Sequence, residues 1–178
     1  MTGREVARLT GRTSHKGVLD VLSRLVEHGL VERQEAGRAL LFTLNRDHLA
    51  APAVDVLAGM RAELLRRLRE AVSAWDIQAA HVSLFGSTAR GDGDTRSDVD
   101  LFVVRSTGVS AEDPQWRAQL DELARHVERW TGNQAIVAEA GEAELPRLRE
   151  RDLPILDDLR SDAVVLGGVE LPALLGTT

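Results

Sequence analysis

The chemistry of this sequence is concentrated in "FGSTARGDGDTRSDVDLFVV", residues 85–104, where Asp98 and Asp100 stand one residue apart at the head of an apolar run. Side chains alternate along a strand, so both carboxylates point to the same side, about 6.5–7 Å apart along the backbone. A pair placed like this can converge on one or two Mg2+ ions, which neutralise a triphosphate and activate a hydroxyl. Upstream, Gly86 lets the backbone approach a phosphate without a Cβ in the way. Ser87 offers an N–H and a hydroxyl, and the short "TARG" helix presents its positive N-terminus to the same anion.

Two other readings of the loop fail. A calcium loop counted from Asp92 needs an oxygen ligand where Arg96 falls and a glutamate where Val103 sits. A P-loop needs Gly-Lys-Ser/Thr, which does not occur.

The elements that must hold these residues can be read from the flanks. "AAHVSLF" (79–85) is a buried strand leading into the Gly-Ser turn, and "LFVV" is a second strand following the aspartates. Asp113-Pro114 opens a helix that carries Trp116, Leu120, Leu123, Val127 and Trp130 at core spacing and closes at Gly132. "NQAIVAEAGEAEL" then reads as a third strand, followed by a short helix and the terminal strand "AVVLGG". His81, in a strand, and His126, on a helix, lack partners at ligand spacing and are expected to be structural.

The composition bounds the rest. With 178 residues, 43% of them apolar and 28% charged, the chain fits one ordinary domain or two small ones. No apolar run approaches the roughly 18–20 residues that span a bilayer, and no signal-peptide pattern follows Met1. A cytoplasmic location without membrane contact is expected. The absence of cysteine excludes disulfides and thiolate metal sites, so any metal must take oxygen or imidazole ligands. Charge is uneven: residues 1–50 hold eight Lys and Arg against six acids, net +2, and the remaining fourteen stand against twenty-two acids, net −8. Such asymmetry suggests modules with different partners.

Residues 1–50 can be parsed by their punctuation. Thr2 and Glu5 form a capping box opening a short helix with Val6 and Leu9 inward. A second helix runs from Ser14 as N-cap to His28, with Val18, Val21, Leu22 and Leu25 on its inner stripe and Gly29 as its stop. "LVERQ" and "ALLFTL" are strands of a hairpin turning at Glu35-Ala36-Gly37-Arg38. Residues 51–75 place Val56, Leu57, Met60, Leu64, Leu68, Val72 and Trp75 on one face of a single amphipathic helix, opposite Arg61, Arg66, Arg67 and Arg69. That helix can join the two modules or pair with its twin in a homodimer.

The first module resembles the winged helix-turn-helix of MarR-like and ArsR-like regulators. The resemblance implies that the second helix enters the major groove, with His15 and Lys16 approaching bases and Arg12, Arg33 and Arg38 meeting phosphates. The form Gly-Ser, ten residues, Asp-x-Asp resembles the signature of the DNA polymerase beta-type nucleotidyltransferases, over about residues 76–168. Its small single-domain members are the closest in style. By that resemblance Asp98 and Asp100 bind Mg2+, while Gly86, Ser87, Arg90 and Ser97 bind the nucleotide. Active members usually carry a third, catalytic carboxylate on the next strand. The matching position falls at about Gln134 or Ala135, and Glu139 could serve only with a register shift of several residues.

The expected fold is thus α+β: a winged helix-turn-helix (1–50), a connecting helix (51–75) and a mixed-sheet nucleotidyltransferase domain (76–178). The expected function is Mg2+-dependent transfer of a nucleoside monophosphate from an NTP, ATP foremost, to a hydroxyl of a protein, an RNA or a small molecule. The resemblance favours a small helical toxin-like protein as acceptor. The alternative is a DNA-binding regulator whose C-terminal domain binds nucleotide without turnover.

Overall fold

A computed structural model describes residues 1–10, 14–91, 93, 97–150 and 154–174. The chain divides into two compact units, Met1–Met60 and Arg61–Thr178.

In the first unit, helix α1 (Gly3–Thr10) follows the expected capping box: Thr2 N donates to Glu5 Oε2 at 2.6 Å and Glu5 N donates to Thr2 Oγ1 at 3.3 Å. Helix α2 (His15–Glu27) is capped by Ser14, whose hydroxyl accepts from Gly17 N at 3.1 Å. Strands β1 (Val31–Ala36) and β2 (Ala39–Leu44) pair antiparallel around the two-residue turn Gly37-Arg38. Met1 and Phe42 exchange backbone hydrogen bonds, which ties the chain start to the hairpin. A small core of Val18, Leu22 and Phe42, flanked by Val6, Leu19 and Val26, holds the unit together. Three expected inward residues lie outside it: Leu9 is 65% and Val21 44% exposed, and Leu25 is only half-buried. The helix stripe is carried by Leu19 and Val26 instead, because Phe42 of the hairpin selects which face is covered.

The single helix expected over residues 51–75 is two helices, α3 (Ala51–Ala58) and α4 (Met60–Ser73), interrupted at Gly59. Glycine weakens a helix interior by about 1 kcal/mol. Val56, Leu57 and Met60 are exposed, so no burial offsets that loss. The apolar stripe enters a core only from Leu64 and Leu65 onward, through Leu68, Val72 and Trp75. The four arginines expected opposite that stripe are exposed, and they also have partners: Arg66 and Arg67 pair with Glu63, and Arg61 reaches the carbonyls of Thr88 and Ala89.

The second unit is built on a mixed sheet of order β5-β4-β3-β6, with β3 (His81–Phe85), β4 (Val99–Arg105), β5 (Ala135–Gly141) and β6 (Val164–Gly168). β3 is antiparallel to both β4 and β6, while β4 and β5 run parallel. A parallel pair needs a long crossover, here helix α6 (Pro114–Thr131). It begins at Asp113, whose carboxylate accepts from Gln115 N and Trp116 N, and ends at Gly132 with φ 76°. The sheet separates two apolar layers. On one face Val82, Leu84, Val99, Leu101 and Val103 pack against α4 and α6. On the other, Phe85, Phe102, Val104 and Ala140 pack against α7 (Leu145–Glu150), α8 (Pro154–Asp162) and α9 (Leu171–Leu174). His81 is wholly buried in this second layer; its Nδ1 bonds Val169 O at 2.7 Å and its Nε2 bonds Ser83 Oγ at 2.9 Å, the structural role expected of it.

Candidate active site

β3 ends where β4 begins, because the two are antiparallel and Phe85 lies directly opposite Asp100. The chain leaves β3 at Gly86 with φ 71° and enters the short helix α5 (Gly86–Arg90). A Cβ at Gly86 would stand 2.5 Å from Asp100 Oδ2, so the absence of a side chain there lets the carboxylate lie against the turn. Gly93 comes back over the same turn: a Cβ on it would be 3.3 Å from Thr88 Oγ1 and 3.5 Å from Ser87 Oγ.

Several contacts hold the arrival of β4. Thr88 Oγ1 donates to the Asp98 carbonyl at 3.3 Å, Asn133 Nδ2 donates to the Ser97 carbonyl at 2.8 Å, and Val99 N donates to the Gln134 carbonyl at 2.8 Å. Val99 is buried, whereas Asp98 is exposed and Asp100 half-buried. This is the alternation that directs both carboxylates away from the α4–α6 layer. Burial raises the Asp100 carboxyl above the usual carboxylate range, the charges of Asp98 and Asp158 add to the rise, and Arg90 opposes it. A group in this state is stabilised by an incoming cation. Arg90 donates to Asp162 Oδ2 of α8 at 2.6 Å, and that pairing lowers the Asp162 carboxyl.

Gly86, Ser87, Arg90, Ser97, Asp98 and Asp100 therefore meet around one end of the β3–β4 pair. Glu139 does not join them. In the β4–β5 register Asp100 faces Ile136 and Val103 faces Glu139, three residues or about 10 Å further along. An odd offset also puts Glu139 on the opposite face of the sheet, toward α6. There it pairs with Arg105, accepts from Trp116 Nε1 at 2.9 Å and pairs with Arg117 at 3.0 Å. The register shift that a catalytic Glu139 required is absent. Of the first-unit residues, His15, Lys16, Arg33 and Arg38 are exposed, and Arg12 lies outside the described residues.

Sequence reasoning placed Arg61 only on the arginine face of residues 51–75 and missed Asn133, Asp158 and Asp162. The last two carried a usable signal: they stand four apart on a helix whose Leu156 and Leu159 are buried, which puts both on one side.

No curated protein matches the chain. A solved structure of a toxin-antitoxin with AMP-PNP is similar at 14% identity, covering 63% of this chain and 81% of that one with a TM-score of 0.41. A putative nucleotidyltransferase from Sulfolobus solfataricus is similar at 19% identity, covering 61% and 83% with a TM-score of 0.37. The nucleotidyltransferase domain family matches residues 64–158. That span is more than half of the sequence and runs from α4 through the Gly-Ser turn and both aspartates into α8, so the chain belongs to the nucleotidyltransferase domain family.

Proposed function

We propose that the second unit transfers a nucleoside monophosphate from an NTP, ATP foremost, to an acceptor hydroxyl and releases pyrophosphate. The observation that carries this reading is the close approach of Asp100 to Gly86, which brings a cation-seeking carboxylate and a turn without a side chain to one point. Asp98 and Asp100 would hold Mg2+. Among the described residues no three His, Asp or Glu side chains are gathered to hold a metal ion by themselves. A two-carboxylate site fits Mg2+, which completes its octahedron with waters and substrate phosphate oxygens. Bound there, Mg2+ supplies charge neutralisation at the polyphosphate and polarisation of the reacting phosphoryl group. Ser87 and the Gly86–Ser87 backbone face the phosphates, Ser97 lines the approach, and Arg90, steadied by Asp162, adds a fixed positive charge.

The exposed His15 and Lys16 at the start of α2, with Arg33 and Arg38 on the hairpin, support a second role for the first unit in contacting DNA. Should the nucleotide unit bind without turnover, the protein would be a nucleotide-sensing regulator. One experiment separates these. The protein is incubated with Mg2+ and radiolabelled ATP, with a small helical toxin-like protein, an RNA or an aminoglycoside as acceptor, and pyrophosphate and labelled acceptor are followed. Pyrophosphate matched by label on one acceptor establishes transfer. No turnover with any NTP, together with ATP-dependent DNA binding, leaves the regulator.

A further inference from the structure

Arg61 differs from the other arginines of α4. It stands three, four, seven and eleven residues before Leu64, Leu65, Leu68 and Val72, so it continues the buried stripe of the helix, whereas Arg66 and Arg67 lie off that stripe beside Glu63. Anchored by the stripe, α4 carries the Arg61 guanidinium to the exit of α5, where it donates to the carbonyls of Thr88 and Ala89. The stem crosses the same end. A Cβ on Gly91, which closes α5 at φ 83°, would stand 3.4 Å from Arg61 Cδ and 3.6 Å from its Nε.

Five residues make little more than one turn, and an isolated turn does not hold its own geometry because helix nucleation is unfavourable. The shape of α5 therefore depends on what grips it. Thr88 Oγ1 donates to the Asp98 carbonyl at 3.3 Å and Arg90 donates to Asp162 at 2.6 Å, which ties α5 to β4 and α8. Arg61 ties its exit to α4. Gly86 and Ser87 lie only about 5 Å back along the axis, so slippage of that exit moves the Gly-Ser turn.

We infer that Arg61 is a positioning residue for nucleotide binding, fixing the exit of α5 so that Gly86 and Ser87 meet the polyphosphate in one geometry. The inference rests on the transferase reading above. Arg61 gives its Nε and a terminal nitrogen to Thr88 and Ala89, and it acts on the nucleotide through the α5 backbone. Preorganisation of this kind reduces the ordering that binding must impose, so its loss weakens affinity although no contact to the ligand is removed. The fold depends on it little. The side chain is exposed, and exposed polar contacts add little to stability.

The test compares full-length Arg61→Met and Arg61→Lys with wild type in calorimetry with MgATP and in thermal melting. Methionine keeps an apolar stem over Gly91 and removes the donors, while lysine keeps a donor that can reach one carbonyl. Arg61→Met is expected to raise the Kd for MgATP about tenfold, with the melting temperature within about 4 °C of wild type. Arg61→Lys is expected to recover part of the affinity at the same melting temperature. Wild-type affinity in Arg61→Met overturns the inference and leaves the transferase reading intact. Lost affinity that comes with a larger fall in melting temperature, or that lysine does not restore at all, also overturns it, by making Arg61 a structural residue. A wild type that binds no MgATP overturns the transferase reading and this inference together.

Discussion

The Asp100 carboxylate occupies the space that a side chain at Gly86 would take, with 2.5 Å left between its Oδ2 and a Cβ at that position. Gly86→Ala must therefore push Asp100 out of place and also force alanine to φ 71°, a strain of about 1–2 kcal/mol. Misplacement of a reacting group by about 1 Å costs up to about 10²-fold. The variant is expected to lose at least about tenfold in MgATP affinity by calorimetry and to melt earlier than wild type.

Asp100→Asn is expected to make the cation-free protein more stable. The fold disfavours the charged form of Asp100 through burial and the nearby Asp98 and Asp158, so a neutral side chain relieves it. The melting point should rise by about 1–3 °C. Millimolar Mg2+ with ATP should then raise the wild-type melting point but leave the variant unmoved, because stabilisation by a ligand follows its binding. A variant that melts below wild type and still responds to MgATP would remove Asp100 from the metal site.

His81 predicts the pH dependence. Desolvation holds its imidazole below the ordinary value of 6.5, and the bond to Val169 only partly offsets this. In the unfolded chain it protonates as pH falls through about 6.5, while the folded chain resists, so the unfolded state binds more protons there. Stability is complete above that pH and falls below it by up to about 1.4 kcal/mol per pH unit. Denaturant unfolding of wild type and His81→Gln between pH 7 and 5 checks this. The variant should show the smaller slope.

Glu139 is expected to matter for the fold. Its carboxylate compensates Arg105 and Arg117 and accepts from Trp116 Nε1, so Glu139→Gln leaves partly buried cationic charge unmatched. A loss of about 2–3 kcal/mol in unfolding free energy is expected. Wild-type stability combined with lost transfer would return Glu139 to the chemistry.

Lys16→Ala and Arg38→Ala test the first unit. Each lost phosphate contact should flatten the slope of log affinity against log salt by about 0.9, measured by fluorescence anisotropy on duplex DNA. An unchanged slope would separate these side chains from the DNA backbone.

The sequence by itself determined what depends on neighbours along the chain. The alternation of Asp98, Val99 and Asp100 follows from the two-residue period of a strand, and the bounds of α6 follow from Asp113-Pro114 and Gly132. The Gly-Ser bend is equally local, as is the hairpin turn expected over Glu35–Arg38, although cross-strand pairing extends β1 through Ala36 and leaves only Gly37-Arg38 in the turn. Tertiary structure decided what depends on partners far away. The β4–β5 register, set between strands separated by α6, sent Glu139 to the α6 face. Burial of Leu156 and Leu159 against Phe85 and Phe102 brought α8 to α5, where Asp162 pairs with Arg90 from seventy-two residues away. No local pattern encodes such choices, because a strand's partner and a helix's covered face are selected by the apolar surface that long-range packing removes from water.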